Sequence, residues 1–200
     1  MEAAVVSEAL DVINSGKPRE IRFGAGSPYL DIRLPCGGSI DLLFTPIIDG
    51  SSTADIFDRI RDREPLTIVL DIESTDIQCE AQSSNRIAVE RAGSQLLVHH
   101  LPAARIIIAG HGPSVESLVG LSASYGIECS ILSPDPVVVD QVRRLAGTAH
   151  ILKTPAATPL LDPDPWTACI FYFHDHDWET RLMKQAAAKP TPSGCNIWKT

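Results

Sequence analysis

The sequence has few of the features that announce a function. Its five cysteines (Cys36, Cys79, Cys129, Cys169 and Cys195) are odd in number and widely scattered, with no CxxC pair. That pattern excludes a zinc finger or a disulfide framework and fits reduced intracellular thiols. Cations are in the minority: 17 Lys and Arg against 25 Asp and Glu give a net charge of −8. No basic run interleaved with aromatics is present, so a nucleic-acid partner is not expected; phosphate backbones are held by clustered cations that displace counterions. No apolar run reaches the roughly 18 residues needed to cross a bilayer. The N-terminus, MEAAVVSEALDVINSGKPRE, lacks the positive start, apolar run and small-residue cleavage site of a signal peptide. The expectation is a cytoplasmic chain with no membrane partner. GxSxG, GKS/T, HExxH and paired-carboxylate signatures are missing too, which weakens the case for a hydrolase or an NTPase.

What is present is an ordinary globular composition, 44% hydrophobic and 21% charged, enough for one large domain or two small ones. Val6, Ala9, Leu10 and Ile13 recur at helical spacing and predict an amphipathic helix over the first fifteen residues. In SPYLDIRLPCGGSIDLLFTP, Leu30, Ile32 and Leu34 alternate with polar neighbours, as do Ile40 and Leu42, predicting two strands joined by LPCGG. Ile56, Phe57 and Ile60, with Ser52 or Thr53 as cap, predict a short helix; 66–72, 86–90 and 95–100 predict strands. Residues 1–102 therefore read as a strand-rich mixed domain.

After Pro102 the texture changes. Arg105–Ala109 is a nearly continuous apolar run, as in a parallel strand buried on both faces. Val115, Leu118, Val119 and Ser122 mark a helix, 128–132 a strand, Val138, Val142, Leu145 and Ala146 a second helix, and 149–152 a short strand. A proline-rich loop from Pro155 to Pro165 follows, then strand 167–173 and a helix to Ala188 for which Asp177 is a candidate cap. This order is that of a doubly wound α/β sheet over 103–188. Residues 189–200, KPTPSGCNIWKT, read as an irregular tail, which would leave the sheet truncated.

Three segments could carry chemistry. Gly110-His111-Gly112 follows a strand and opens a helix, the setting of a dinucleotide-binding turn whose glycines admit a pyrophosphate to a helix N-terminus. Val115 occupies the third glycine position, Pro113 removes one N–H, and the next strand ends in Ser133, with Asp135 as substitute acid. The alternative is a tight turn that binds nothing. His174-Asp175-His176-Asp177 ends a strand; His174 and His176 would point the same way if the strand continued. That stretch reads as part of a polar ligand pocket, as two metal ligands, or as a strand end with Asp177 capping the next helix. Two histidines make a poor zinc site, and no metal is assigned. Cys36-Gly37-Gly38, with Asp41 nearby, places a thiol on a glycine turn, suited to binding a soft metal or carrying sulfur, or else incidental to the turn. Cys129 and Cys169 sit in apolar strands and read as buried; His99-His100 reads as surface or domain interface, and Trp166 and Trp178 as packing residues.

Taken in order, LPCGGSID, RIIIAGHGPSVESL and FHDHDWETRLMKQA resemble the XdhC/CoxI family of xanthine dehydrogenase accessory proteins, over about Tyr29 to Ala188. The resemblance implies a Rossmann-like second domain behind an XdhC/CoxI-type first domain. It implies a cofactor-binding maturation chaperone more than an enzyme, one that takes the molybdenum cofactor (molybdopterin) and assists its sulfuration and insertion into an apo molybdenum hydroxylase of the xanthine dehydrogenase type. Cys36 then matches the family's cysteine, a candidate for sulfur handling; Gly37 and Gly38 accompany it. Gly110, His111 and Gly112 match its glycine turn, and His174, Asp175 and His176 its histidine-aspartate-histidine stretch. A cysteine desulfurase and a second copy of the chain are further partners in that reading. The alternative for the same turn is an NAD(P)-dependent oxidoreductase with the histidines as acid and base.

Overall fold

The computed structural model describes residues 1–29, 32–48, 50–81, 87–145, 148–156, 158–173, 175–188 and, by backbone alone, 196–199. The chain divides into two compact units, Met1–Pro102 and Ala103–Thr200, and both contain helices and strands.

In the first unit, α1 (Glu2–Ser15) ends on Gly16 in the left-handed region. The helix is where its periodicity predicts, but it buries Val12, while Val6, Leu10 and Ile13 stay exposed. β1 (Arg19–Gly24) pairs antiparallel with β2 (Ser39–Phe44), from Arg19 opposite Phe44 to Gly24 opposite Ser39. This corrects the expected first strand. The alternation that matters is in Arg19-Glu-Ile-Arg-Phe, which buries Ile21 and Phe23, whereas Ile32 and Leu34 belong to the long connection. After α2 (Gly50–Arg61) come β3 (Leu66–Asp71), β4 (Ile77–Ala81), β5 (Val89–Ala92) and β6 (Gln95–His100). They form an antiparallel sheet in the order β4-β3-β6-β5. Thr53 lies inside α2, its hydroxyl donating to Gly50 O, so it does not cap the helix. His99 is not a surface residue: its side chain is 4% exposed, and Nδ1 is hydrogen-bonded to Thr67 Oγ1 across the β3–β6 pair at 2.9 Å.

The second unit is a parallel sheet. β7 (Arg105–Gly110) leads into α3 (Pro113–Ser124), β8 (Glu128–Ser133), α4 (Pro136–Arg144) and β9 (Thr148–Ile151); β10 (Thr167–Tyr172), α5 (His176–Ala187) and β11 (Asn196–Lys199) follow. The strand order is β11-β10-β7-β8-β9, and every neighbouring pair is parallel. The chain thus winds outward from β7 through β8 and β9, then crosses to the other side of β7. Helices cover both faces because the strands are apolar on both. Ile108 and Ile131 join Val115, Val119, Val138 and Val142 on the α3/α4 face. Ile107, Leu132, Cys169, Phe171 and Phe173 join Leu182 and Ala186 on the α5 face. Each such aliphatic or aromatic side chain contributes on the order of 1.5–3 kcal/mol by leaving water.

Three expectations for this unit change. Leu145 is 45% exposed, so the core face of α4 is Val138, Val139 and Val142. Asp175, not Asp177, caps α5: its Oδ1 accepts the Asp177 N–H at 2.8 Å. The end of the tail is not irregular, because Asn196–Lys199 adds to the open edge of β10, where an unpaired row of backbone donors and acceptors accepts a strand of four residues.

Candidate functional site

In the second unit the segments picked out by sequence meet the carboxyl ends of adjacent strands, the edge along which open parallel sheets bind ligands. β7 ends in Gly110, opposite Tyr172 of β10. The approach is so close that a Cβ on Gly110 would lie 2.5 Å from Tyr172 O. The neighbouring strand therefore demands this glycine, whatever binds nearby. His111 is exposed; its N–H donates to Tyr172 O at 3.2 Å and its ring meets Phe173 edge-on at 6.0 Å. Phe173 in turn stacks on Trp178, centroids 5.6 Å apart. Gly112, at φ 91° and ψ 174°, takes a conformation essentially closed to other residues and caps α3 with open space around it. Pro113 opens the helix, so Ser114 is its first residue with an N–H, and Glu116 already sits in the positive field of the first turn. Val115 is fully buried and packs against the sheet.

The other candidates along this edge are committed to structure. Ser133 is buried and its hydroxyl accepts the Asp135 N–H at 3.2 Å; Asp135 Oδ1 accepts the Val137 N–H at 2.8 Å as the cap of α4. Asp135 is thereby engaged as a helix cap. His174 lies outside the described residues. β10 ends at Tyr172 and His176 opens α5, so the strand does not continue through the histidines. The His176 side chain is 88% exposed, with Nδ1 3.8 Å from Oε2 of the buried Glu179. Among the described residues no three His, Cys, Asp or Glu side chains cluster as a metal site.

In the first unit Cys36 is exposed on a turn closed by the Gly37 N–H to Leu34 O bond at 2.9 Å. The turn borders a cavity of about 420 Å³ within the β1–β2 connection. Gly24, Gly26, Gly37 and Gly38 line it, together with Tyr29, Ile32 and Leu34, and with Arg33 as the charged group. A Cβ on Gly38 would sit 3.4 Å from Cys36 Sγ, so the thiol stands against a lining residue. The cavity is held from several sides. Ala25 N–H donates to Gly38 O at 3.0 Å, the Tyr29 ring stacks on buried Phe23, and the Tyr29 hydroxyl donates to Glu8 on α1. That hydroxyl, followed by Arg19, holds the Glu8 carboxyl below the usual carboxylate range, and Glu8 pushes the Tyr29 phenol up. Asp41 is engaged in two bonds to the Arg22 guanidinium, at 2.7 and 2.8 Å, which hold its carboxyl down. It braces the hairpin. Arg33 and the glycines at 24 and 26 escaped sequence reasoning; the signal was the Gly-Ala-Gly-Ser run directly after an alternating strand.

A cavity of this size, with glycine backbone, apolar walls and one guanidinium, has room for a compact ligand bearing negative charge. In the second unit the arrangement fits an anion at the α3 N-terminus.

No family model matches the chain. It is 29% identical over 191 residues, 95% of its length, to the molybdenum cofactor insertion chaperone PaoD of Escherichia coli (strain K12). It covers 53% of that protein, and so spans about half the length of the curated relative it matches. Among solved structures it resembles a crystal structure of a xanthine dehydrogenase from Bacillus halodurans, with a TM-score of 0.66 and 15% identity. That match covers 100% of this chain and 65% of the other, and at this identity it speaks for the fold alone. No helix among the described residues is long and apolar enough to cross a membrane.

Proposed function

We propose that the chain is a molybdenum cofactor insertion chaperone of the XdhC/CoxI type, binding the cofactor as cargo and handing it to an apo molybdenum hydroxylase of the xanthine dehydrogenase class in the cytoplasm. The observation that carries this reading is the 29% identity to an insertion chaperone, spread over 95% of the chain and not confined to one motif. The parallel sheet with helices on both faces supports a Rossmann-like second unit.

In this reading Cys36, Gly37 and Gly38 are the candidate cofactor contacts of the first unit. Gly110, His111, Gly112, His174, Asp175 and His176 are the candidates of the second, where the N-terminus of α3 suits an anionic group. A protein of net charge −8 must offset an anionic cargo locally, and backbone N–H groups at a helix start do that without a cluster of cations. Cys36 also serves any sulfuration step, with a cysteine desulfurase as the sulfur source, and a second copy of the chain is a further partner.

The test is equilibrium binding of isolated molybdenum cofactor under anaerobic conditions, with the parent protein and Cys36→Ala. Tight binding that the substitution weakens is expected. Failure of the parent to retain the cofactor at micromolar concentration overturns the reading, and binding of NAD(P)H in its place assigns the glycine turn to an oxidoreductase.

A further inference from the structure

We infer that the outward face of α1 is a self-association surface, on which a second copy of the chain docks its own α1 in antiparallel orientation. This deepens the reading of a second copy as a partner and is independent of the cargo.

The apolar residues of α1 are spaced for a partner helix. Ala3, Val6, Leu10 and Ile13 follow one another at intervals of three, four and three, the spacing of a helix–helix seam. None of the four turns inward: Val6 is 58%, Leu10 55% and Ile13 66% exposed, and Ala3 is exposed as well. The helix is nevertheless firmly seated. Its inner side buries Val12, Glu8 is bonded to Tyr29 and Arg19, and Gly16 closes its end. Single exposed aliphatic side chains are ordinary on a protein surface, but a continuous stripe at seam spacing on an anchored helix marks a contact surface.

The surroundings of the stripe are self-complementary. Beside it a cavity of about 440 Å³ opens between α1 and the end of β2, walled by Ile13, Phe44, Pro46 and Ile47. Ile47 is 61% exposed and extends the apolar surface past the helix. A ridge next to an apolar hollow suits a two-fold axis, because the ridge of each copy enters the hollow of the other.

Charge sets the direction. Glu2, at the amino end of α1, has a side chain that is 96% exposed, and Lys17, just past the carboxyl end, is exposed too. Antiparallel docking brings the Glu2 end of each helix beside the Lys17 end of the other, twice by symmetry, and opposes the two helix dipoles. Parallel docking sets like ends together. The remaining acids of the helix, Glu8 and Asp11, face Arg19 of their own copy at 2.8 and 3.9 Å, so they do not repel the second helix unscreened. A helix of 14 residues is about 21 Å long, which makes this a weak, concentration-dependent dimer.

The test is sedimentation velocity of the full chain, without cofactor, from about 1 to 200 µM. The parent is expected to pass from monomer to dimer across that range. Leu10→Glu should weaken association by about 10- to 100-fold, since it places a carboxylate in the seam. Glu2→Lys and Lys17→Glu should each weaken it by about 3- to 10-fold, and the double variant should recover the parent's affinity. Leu10 is exposed, so unchanged thermal unfolding of Leu10→Glu is the expected check that the fold is intact. A parent that stays monomeric throughout overturns the inference and leaves the carrier reading standing. So does a dimer indifferent to Leu10→Glu, which places the interface elsewhere, or one indifferent to both charge reversals, which removes the antiparallel arrangement. A monomeric parent that binds an apo molybdenum hydroxylase through Leu10 overturns it as well and gives the surface to that partner.

Discussion

Replacing Gly110 by alanine separates what the glycine turn does for the fold from what it does for a ligand. The added Cβ would lie 2.5 Å from Tyr172 O, 2.6 Å from Tyr172 Cβ and 2.7 Å from Tyr172 C. Two of the three atoms are backbone, held in the β7–β10 ladder, so no rotamer change relieves the clash. Overpacking of this kind costs about 1–3 kcal/mol, with a rigid backbone neighbour at the upper end. Moving β10 away also stretches the 3.2 Å bond from His111 N–H to Tyr172 O, a loss of about 1 kcal/mol. The sum is a destabilisation of about 2–4 kcal/mol, or a urea midpoint lower by about 1–2 M at a typical slope near 2 kcal/mol/M. Tryptophan fluorescence reports on the right unit, because Trp166, Trp178 and Trp198 all belong to residues 103–200. Gly120, inside α3 with open space where a Cβ would go, supplies the control. Its replacement by alanine should raise stability by about 0.5–1 kcal/mol through helix propensity. The experiment is done without any ligand. A Gly110→Ala protein as stable as the parent would refute the packing argument and return Gly110 to a purely ligand-facing role.

Thiol labelling of the folded protein should modify Cys36 well before Cys129 and Cys169, which are 8% and 0% exposed. Burial pushes the Cys129 thiol up to about 11, so little thiolate is available there at neutral pH; modification of Cys129 at the rate of Cys36, read by mass spectrometry, would contradict this. The Glu8–Tyr29 bond predicts a pH effect of definite sign. Because the folded protein holds Glu8 below its unfolded value of about 4.3, the stabilisation is complete above that pH and disappears as pH falls through the depressed folded value. Glu8→Gln should flatten the acid limb of the first unit's stability as pH falls below about 4.3, measured by hydrogen exchange of the β1–β2 ladder; identical limbs in the two proteins would exclude a contribution from Glu8.

Local pattern carried much of the architecture. The apolar run Arg105–Ala109, the valines of α3 and α4, and the alternating Thr167–Phe173 segment declare strand or helix through their own periodicity, and their buried faces agree. Where the pattern misled, a neighbour distant in sequence made the choice. Leu30, Ile32 and Leu34 alternate like a strand, but Arg19–Gly24 is what pairs with Ser39–Phe44, and two of those residues line a cavity. Asp177 and Asp175 are equally good caps on paper. Asp175 prevails because β10 stops at Tyr172 and the helix begins at His176.

By itself the sequence determined the mixed and parallel character of the two halves, the glycine turn at the head of α3, the buried state of Cys129 and Cys169 and the turn that carries Cys36, since each follows from residues within one helix turn or strand pleat of one another. Only the tertiary structure decided that Gly110 yields its space to Tyr172, that Asp135 and Asp175 serve as helix caps, that His99 is buried against Thr67, and that Arg33 lines a cavity in the β1–β2 connection. Those outcomes depend on strand register and on the closure of a long connection between β1 and β2, and register is set by contacts that no local stretch of sequence contains.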